Sequence, residues 1–385
     1  FPEATEQYEP VEPPIMPVLY DEDYRAALTN LNFALDQNEL TDRVFQLTEY
    51  MMSRNCYHYT NFTLRRRVVQ SRLVELQNRI ESSLEVQFEK TFEKSFEKNE
   101  ELLTEEILKQ VKIENSLRLK KQLLSPNQKQ KVKDLLSQQT QLLQFEVEKI
   151  QKIMLNDQHK NFQLWNYRYE LSSMGFQLQN LEFIKEELQN DEILQMDEKN
   201  YHFYDYKSKL VCLLTDIQNP SYQFSFLLTE KPLLVQHTDF LTQLITKQKQ
   251  LIEKDIRNNS SISFFVFLVS IFQLSLHKAE KTEFIWIQTE YVINLIKKAT
   301  MNEATWSALQ FFVDFLIELG AQSKVLQAKG FICQFSSFDP EEFVSPFAVY
   351  QRLRLVKKGF GDDGELADVK KLCKEIAGIT KKSCW

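Results

Sequence analysis

The sequence predicts an all-α protein, a solenoid of stacked antiparallel helical hairpins. Leu, Gln, Glu and Lys dominate the 385 residues and Gly numbers only seven, the vocabulary of helices rather than sheets. A motif made of a capping residue, an aromatic side chain four positions later and often a cation three beyond recurs along the chain. Recurrence of one such unit along a helical chain is what stacked hairpins require.

The clearest copy is Lys160-Asn161-Phe162-Gln163-Leu164-Trp165-Asn166-Tyr167-Arg168. Asn161 caps a following helix, and Trp165 and Arg168 fall on the same helix face at four and seven positions on. The pattern returns as Lys199-Asn200-Tyr201-His202-Phe203-Tyr204-Asp205-Tyr206-Lys207. Looser copies run from His58 to Arg65, from Asn258 to Ile262 and from Asn302 to Trp306. Trp165, Arg168 and Trp306 are thus predicted to be structural.

Before the repeats, residues 1–20 form an extended arm, with Pro2, Pro10, Pro13, Pro14 and Pro17 forbidding helix. Residues 21–70 read as the first hairpin, with apolar stripes at Tyr24, Ala27, Leu28 and Leu31 and at Val44, Leu47, Thr48 and Met51. Residues 71–140 read as an inserted charged hairpin. Phe88, Phe92 and Phe96 mark a tetrapeptide repeat, and Ser125-Pro126 supplies a cap and a first-turn proline. The spacing agrees: Asn161 to Asn200 is 39 residues and Asn258 to Asn302 is 44, but His58 to Asn161 is 103. One ordinary repeat subtracted from that interval leaves roughly 60 residues. Such an insert is a docking arm or a tolerated surface connection.

Repeats resume over 141–385, with a looser connection at Asn219-Pro220 and Lys231-Pro232. The apolar run Ile262–Leu276 is broken by Ser263, Ser270, Gln273 and Ser275, so it predicts a buried helix rather than a membrane span. Near the end, Gly359 to Gly364 matches Gly-x-Gly-x-x-Gly. A basic helical segment precedes it, and Asp362, Asp363 and Glu365 would repel a pyrophosphate, which argues against a dinucleotide site.

Composition excludes other classes. A net charge of −7 leaves no basic excess to neutralise nucleic-acid phosphates. Cys56, Cys212, Cys333, Cys373 and Cys384 are scattered with no Cys-x-x-Cys and no metal spacing, which predicts a reducing, cytoplasmic setting and no metal in this chain. The sequence starts at Phe1 rather than Met, which leaves a removed targeting segment and organellar import open.

With these copies in order, the chain resembles the alpha subunit of protein farnesyltransferase, shared with type I protein geranylgeranyltransferase. That family's repeats read Asn-Tyr-x-x-Trp-x-x-Arg. Lys160 to Arg168 resembles the second, Lys199 to His202 the third, Arg257 to Ser260 the fourth and Asn302 to Trp306 the fifth. The segments Asn38–Thr41, Leu47–Glu49, Tyr59-Thr60 with Arg65-Arg66, and Ser345-Pro346-Phe347 fit its flanks, as does the proline arm with Pro14-Ile15 and Tyr20. The resemblance covers nearly everything except about 71–140. It implies a right-handed crescent wrapped around a beta subunit that carries the catalytic zinc and most of the isoprenoid pocket.

The resemblance also implies site residues. Lys160 matches the lysine that reaches the prenyl diphosphate, and Gln163 the glutamine that binds the substrate's C-terminal carboxylate. Asn200, Tyr201 and His202 match residues lining the diphosphate and exit side. Phe162 stands where the family has tyrosine, so a hydroxyl is lost there, while Phe62, Ile262 and Phe265 replace repeat Trp or Arg residues. Read without the resemblance, Lys160 is a solvated lysine beside a cap, Gln163 a third-position glutamine capping its own helix, Tyr201 hairpin packing and His202 a satisfied or exposed histidine.

The function implied is transfer of farnesyl or geranylgeranyl from its diphosphate to the cysteine of a C-terminal CaaX protein, by a heterodimer inactive without beta. Zinc belongs to beta, and magnesium is a second metal that a farnesyl enzyme uses at the leaving diphosphate. The alternative is an inactive scaffold of the same ancestry in a larger assembly. Lys160 and Gln163 argue against it, because a scaffold needs neither.

Overall fold

The computed structural model describes residues 21–85, 126–215, 217, 236–336 and 345–382. The proline arm, the Phe88–Phe96 repeat, Ser125, Asn219-Pro220 and Lys231-Pro232 lie outside the described residues. Among the described residues there are fourteen α-helices and no strand. The chain divides into two compact units, Phe1–Met196 and Asp197–Trp385.

In the first unit, α1 (Glu22–Asp36) and α2 (Asp42–Arg54) pair, followed by α3 (Tyr59–Glu85) and α4 (Pro126–Ile153), then α5 (Phe162–Gln177) and α6 (Leu181–Gln189). The stripe on α1 is Tyr24, Ala27, Asn30, Leu31 and Ala34, with Leu28 only half-buried at its edge. On α2, Val44, Leu47, Thr48 and Met51 are all buried, as their spacing predicts. Helix α3 runs unbroken through residue 70, and α4 through residue 140, and the two pack on each other.

A polar centre lies inside this unit. The fully buried Arg65 places Nε 3.0 Å and Nη2 2.5 Å from the Glu146 carboxylate, which also accepts the Tyr167 hydroxyl at 2.8 Å. Burial and the Glu146 charge push the Tyr167 phenol up, so it stays a neutral donor. Beside it, Arg65 and Arg72 each stack over Phe45, with both guanidinium carbons 3.6 Å from the ring centre.

The second unit holds α7 (Tyr201–Thr215), α8 (Thr238–Lys254), α9 (Asn259–Phe272), α10 (Lys278–Lys298), α11 (Glu303–Glu318), α12 (Gln322–Gln334), α13 (Pro346–Leu355) and α14 (Asp363–Lys382). Successive second helices of the hairpins stack, α7 on α9, α9 on α11 and α11 on α13. The apolar run at Ile262–Leu276 is α9 and the short turn after it, with Ile262, Phe265, Leu268 and Val269 buried. No helix among the described residues is long and apolar enough to cross a membrane. Helix α13 and a wide turn, not a strand, precede the Gly359–Gly364 stretch. The dinucleotide reading therefore fails there on geometry as well as charge.

The repeat is held by one recurring arrangement. At the capping positions Asn161, Asn200, Asn258 and Asn302 the side-chain oxygen accepts a backbone N–H two or three residues on, at 2.9, 3.1, 3.0 and 2.9 Å. His58 takes this role in the first repeat, its Nδ1 accepting from the Asn61 N–H at 3.2 Å. The aromatic side chain four positions after the cap then turns its polar tip back to the carbonyl two positions before the cap. Trp165 Nε1 reaches His159 O at 2.7 Å, Trp306 Nε1 reaches Thr300 O at 2.7 Å and the Tyr204 hydroxyl reaches Glu198 O at 3.4 Å. The cap amide serves the previous repeat: Asn161 Nδ2 donates to Cys56 O at 2.8 Å, Asn258 to Glu198 O and Asn302 to Ile256 O, both at 2.6 Å. Ser345 follows the same rule, its hydroxyl 3.5 Å from Thr300 O. It therefore begins a sixth copy, with Pro346 first in the helix as proline prefers.

Candidate functional site at the helix α5 N-terminus

Lys160 sits in a turn that its neighbours build. Helix α4 overruns into a widened turn at Met154–Gln158, broken at Asn156 (φ −91°, ψ 53°) and Asp157 (φ 62°, ψ 16°). The left-handed region suits aspartate better than most side chains. The chain re-enters helix at Asn161, which is nearly fully buried, and α5 starts at Phe162.

Three predicted site residues meet there. Lys160 is exposed immediately before the cap, Phe162 is 62% exposed as the first helical residue, and Gln163 is half-buried as the second. The Gln163 N–H donates to Asn161 Oδ1 at 2.9 Å. As the second rather than third residue, Gln163 cannot complete a capping box, so that structural reading of its side chain fails. Chemically, Lys160, Asn161, Phe162 and Gln163 join an ammonium, the positive end of a sixteen-residue helix dipole and an exposed apolar ring. An anionic head with an apolar tail matches that combination.

Trp165 and Arg168 pack inside the first unit. Trp165 is buried, and Arg168 makes a two-pronged contact with Glu187, Nε at 2.7 Å and Nη2 at 3.1 Å, while Nη1 donates to Gln151. Trp306 is likewise buried, stacked on Phe331.

In the second unit, Asn200 is buried and its side-chain oxygen caps α7. Tyr201 is 63% exposed and His202 half-buried, their ring centres 3.9 Å apart and the planes inclined by 33°. Lys199, at the position equivalent to Lys160, is paired with Asp255 at 3.1 Å. Hydrogen bonds from Lys199 and the Arg257 backbone outweigh the effect of burial and hold the Asp255 carboxyl below its usual range.

Sequence reasoning did not find Glu146 and Glu187, the carboxylates that the repeat arginines need, nor Gln158, whose amide oxygen accepts the Tyr57 hydroxyl at 2.6 Å. A buried cation predicted without a partner was the available signal.

Among solved structures, the chain matches one of Candida albicans protein geranylgeranyltransferase-I complexed with GGPP, covering 95% of this chain and 89% of that one with a TM-score of 0.51 at 20% identity. The fold is that of a protein prenyltransferase chain. At that identity the likeness establishes the fold and not the chemistry. No protein-family profile and no curated protein sequence matches the chain. Among the described residues no group of His, Cys, Asp or Glu could hold a metal ion.

Proposed function

We propose that this chain is the alpha subunit of a heterodimeric protein prenyltransferase, transferring farnesyl or geranylgeranyl to the cysteine of C-terminal CaaX proteins. The observation that carries the reading is Lys160, Phe162 and Gln163 together at the exposed N-terminus of α5, on a fold shared with a geranylgeranyltransferase. Lys160 offsets the charge that grows on the departing diphosphate, and a fixed cation there favours the transition state more than the bound substrate. The Gln163 amide is a donor suited to a terminal carboxylate. The bare Phe162 ring offers apolar contact without the hydroxyl of the family's tyrosine. At the start of α7, Tyr201 and His202 offer a hydroxyl and an imidazole to substrate, with Asn200 fixing the helix end that presents them.

The described side chains do not fit a zinc site. In this reading zinc is held by a beta partner, magnesium, where used, acts at the diphosphate, and the heterodimer works in the cytoplasm. The buried apolar side chains Ile262 and Phe265, in place of a repeat's Trp and Arg, favour the rival reading of an inactive scaffold. Affinity purification of the chain from its source separates the two. A one-to-one, zinc-containing partner with transferase activity supports the enzyme. Recovery in a large assembly with neither zinc nor transferase activity establishes the scaffold.

A further inference from the structure

We propose that the hydrogen bond from the Tyr57 hydroxyl to the Gln158 amide oxygen is a positioning device for Lys160, a claim that rests on the functional reading of Lys160 given above. Three of the five turns before the caps share a plan that this one lacks, as does the turn before Asn302, where Ala299 holds the equivalent position. Three positions before the cap, Asn55, Asp197 and Asp255 fold back onto their own turns, accepting the N–H of Tyr57, Lys199 and Arg257 at 3.0, 3.2 and 2.9 Å. Each is a local lock of the kind short Asx side chains make. In the turn that carries Lys160 the same position is Gln158, whose side chain is one methylene longer. Its amide oxygen leaves its own turn and meets the preceding repeat, at 2.6 Å from the Tyr57 hydroxyl and 3.5 Å from Cys56 Sγ.

Asn161, on the other side of Lys160, reaches the same dipeptide through its 2.8 Å bond to Cys56 O. His159 and Lys160 are therefore strung between two anchors, Gln158 and Asn161, both fixed to Cys56-Tyr57. The backbone just before them also departs from the other turns: of the five described turns that precede His58, Asn161, Asn200, Asn258 and Asn302, only this one contains a left-handed residue, Asp157. With a left-handed step and no Asx lock at position 158, the turn takes part of its shape from the preceding repeat, beside the local bonds from Trp165 Nε1 to His159 O and from the Asn161 N–H to Gln158 O. Positioning matters because an ammonium that stabilises a leaving group loses effect steeply when displaced by about 1 Å.

The test uses the full chain in complex with its catalytic partner, as wild type, Gln158→Met, Gln158→Glu, Tyr57→Phe and Lys160→Ala. Methionine removes the acceptor at similar length, and glutamate keeps it. Amide hydrogen exchange over residues 156–160 is expected to speed up about five- to tenfold in Gln158→Met and Tyr57→Phe. Exchange elsewhere stays unchanged, and Gln158→Glu behaves as wild type. The turnover number is expected to fall about tenfold with the KM for a CaaX peptide unchanged, a split that general loss of structure does not produce. Unchanged exchange in Gln158→Met overturns the positioning claim. So does faster exchange without loss of turnover while Lys160→Ala is slow. Full turnover in Lys160→Ala overturns instead the functional reading of that lysine, a result told apart because exchange in the turn still responds to Gln158→Met.

Discussion

Asn258 donates its side-chain amide to the carbonyl of Glu198 at 2.6 Å, two residues before the cap of the preceding repeat. The same carbonyl receives the Tyr204 hydroxyl, while Asn258 caps its own helix through its other side-chain atom. One asparagine therefore satisfies a helix end and joins two repeats, which explains why the position recurs. A carbonyl between helices has few donors, and losing the shorter of its two hydrogen bonds is costly.

Asn258→Ala is expected to cost about 2–3 kcal/mol, the sum of a cap and a buried hydrogen bond. Asn258→Asp keeps the cap but loses the donor, so it should fall between alanine and wild type. Urea unfolding of the three proteins measures the order.

Glu146 holds both Arg65 and Tyr167 in a fully buried centre. Glu146→Ala leaves the buried guanidinium with only the partly exposed Glu49 carboxylate, 3.9 Å away, and the expected loss is about 3–5 kcal/mol. A smaller loss for the double variant Glu146→Ala, Arg65→Met than for Glu146→Ala alone, read by thermal unfolding, would show that the orphaned charge is the cause.

Two positions, one near the end of α5 and one just beyond it, should respond in opposite directions. A Cβ at Gly175 would stand 2.7 Å from the buried Phe183 ring, so Gly175→Ala is expected to destabilise by about 1–3 kcal/mol despite alanine's better helix propensity. Gln179 follows the end of the same helix at φ 57°, where the Asn180 N–H closes back onto Gly175 O at 2.9 Å. Gln179→Gly should stabilise by about 0.5–1 kcal/mol, because glycine takes that conformation without strain. Denaturant midpoints of the two variants decide both.

The C-terminal hairpin should weaken in acid. Burial alone would raise the Glu365 carboxyl, but hydrogen bonds from Lys329 (2.6 Å) and Arg352 (2.9 Å) outweigh it and hold the group below the usual glutamate range. A lowered folded value means the stabilisation is complete above the ordinary glutamate value of about 4.3 and is lost as pH falls through the folded one. Glu365→Gln should therefore flatten the decline of stability below about pH 4.3, measured as melting temperature against pH.

Much of this organisation was legible because the repeat is a local device. Asn161, Trp165 and Arg168 announce a cap and a helix face by spacing alone, and all three stand where that spacing puts them. What sequence did not show is long-range. Glu146 lies 81 residues from Arg65, and no periodicity links them. His58 was legible at the cap position only by its spacing, since histidine seldom caps, and Ser345 was not legible as the start of a copy because nothing in its surroundings repeats the aromatic pattern. At the candidate site, Lys160 and Phe162 were legible only through resemblance. The shape of the Lys160 turn was not legible, since it depends on Gln158 reaching a neighbouring repeat.

The most direct measurement is single-turnover transfer of labelled farnesyl and geranylgeranyl to a CaaX peptide by the purified heterodimer, wild type against Lys160→Ala. A prenyltransferase alpha subunit predicts transfer of at least one isoprenoid by the wild type. In Lys160→Ala the rate should drop about 10²-fold, as for loss of one transition-state contact, with the heterodimer still assembled. Equal rates in the two proteins, or no transfer of either isoprenoid by a zinc-loaded heterodimer, would contradict it.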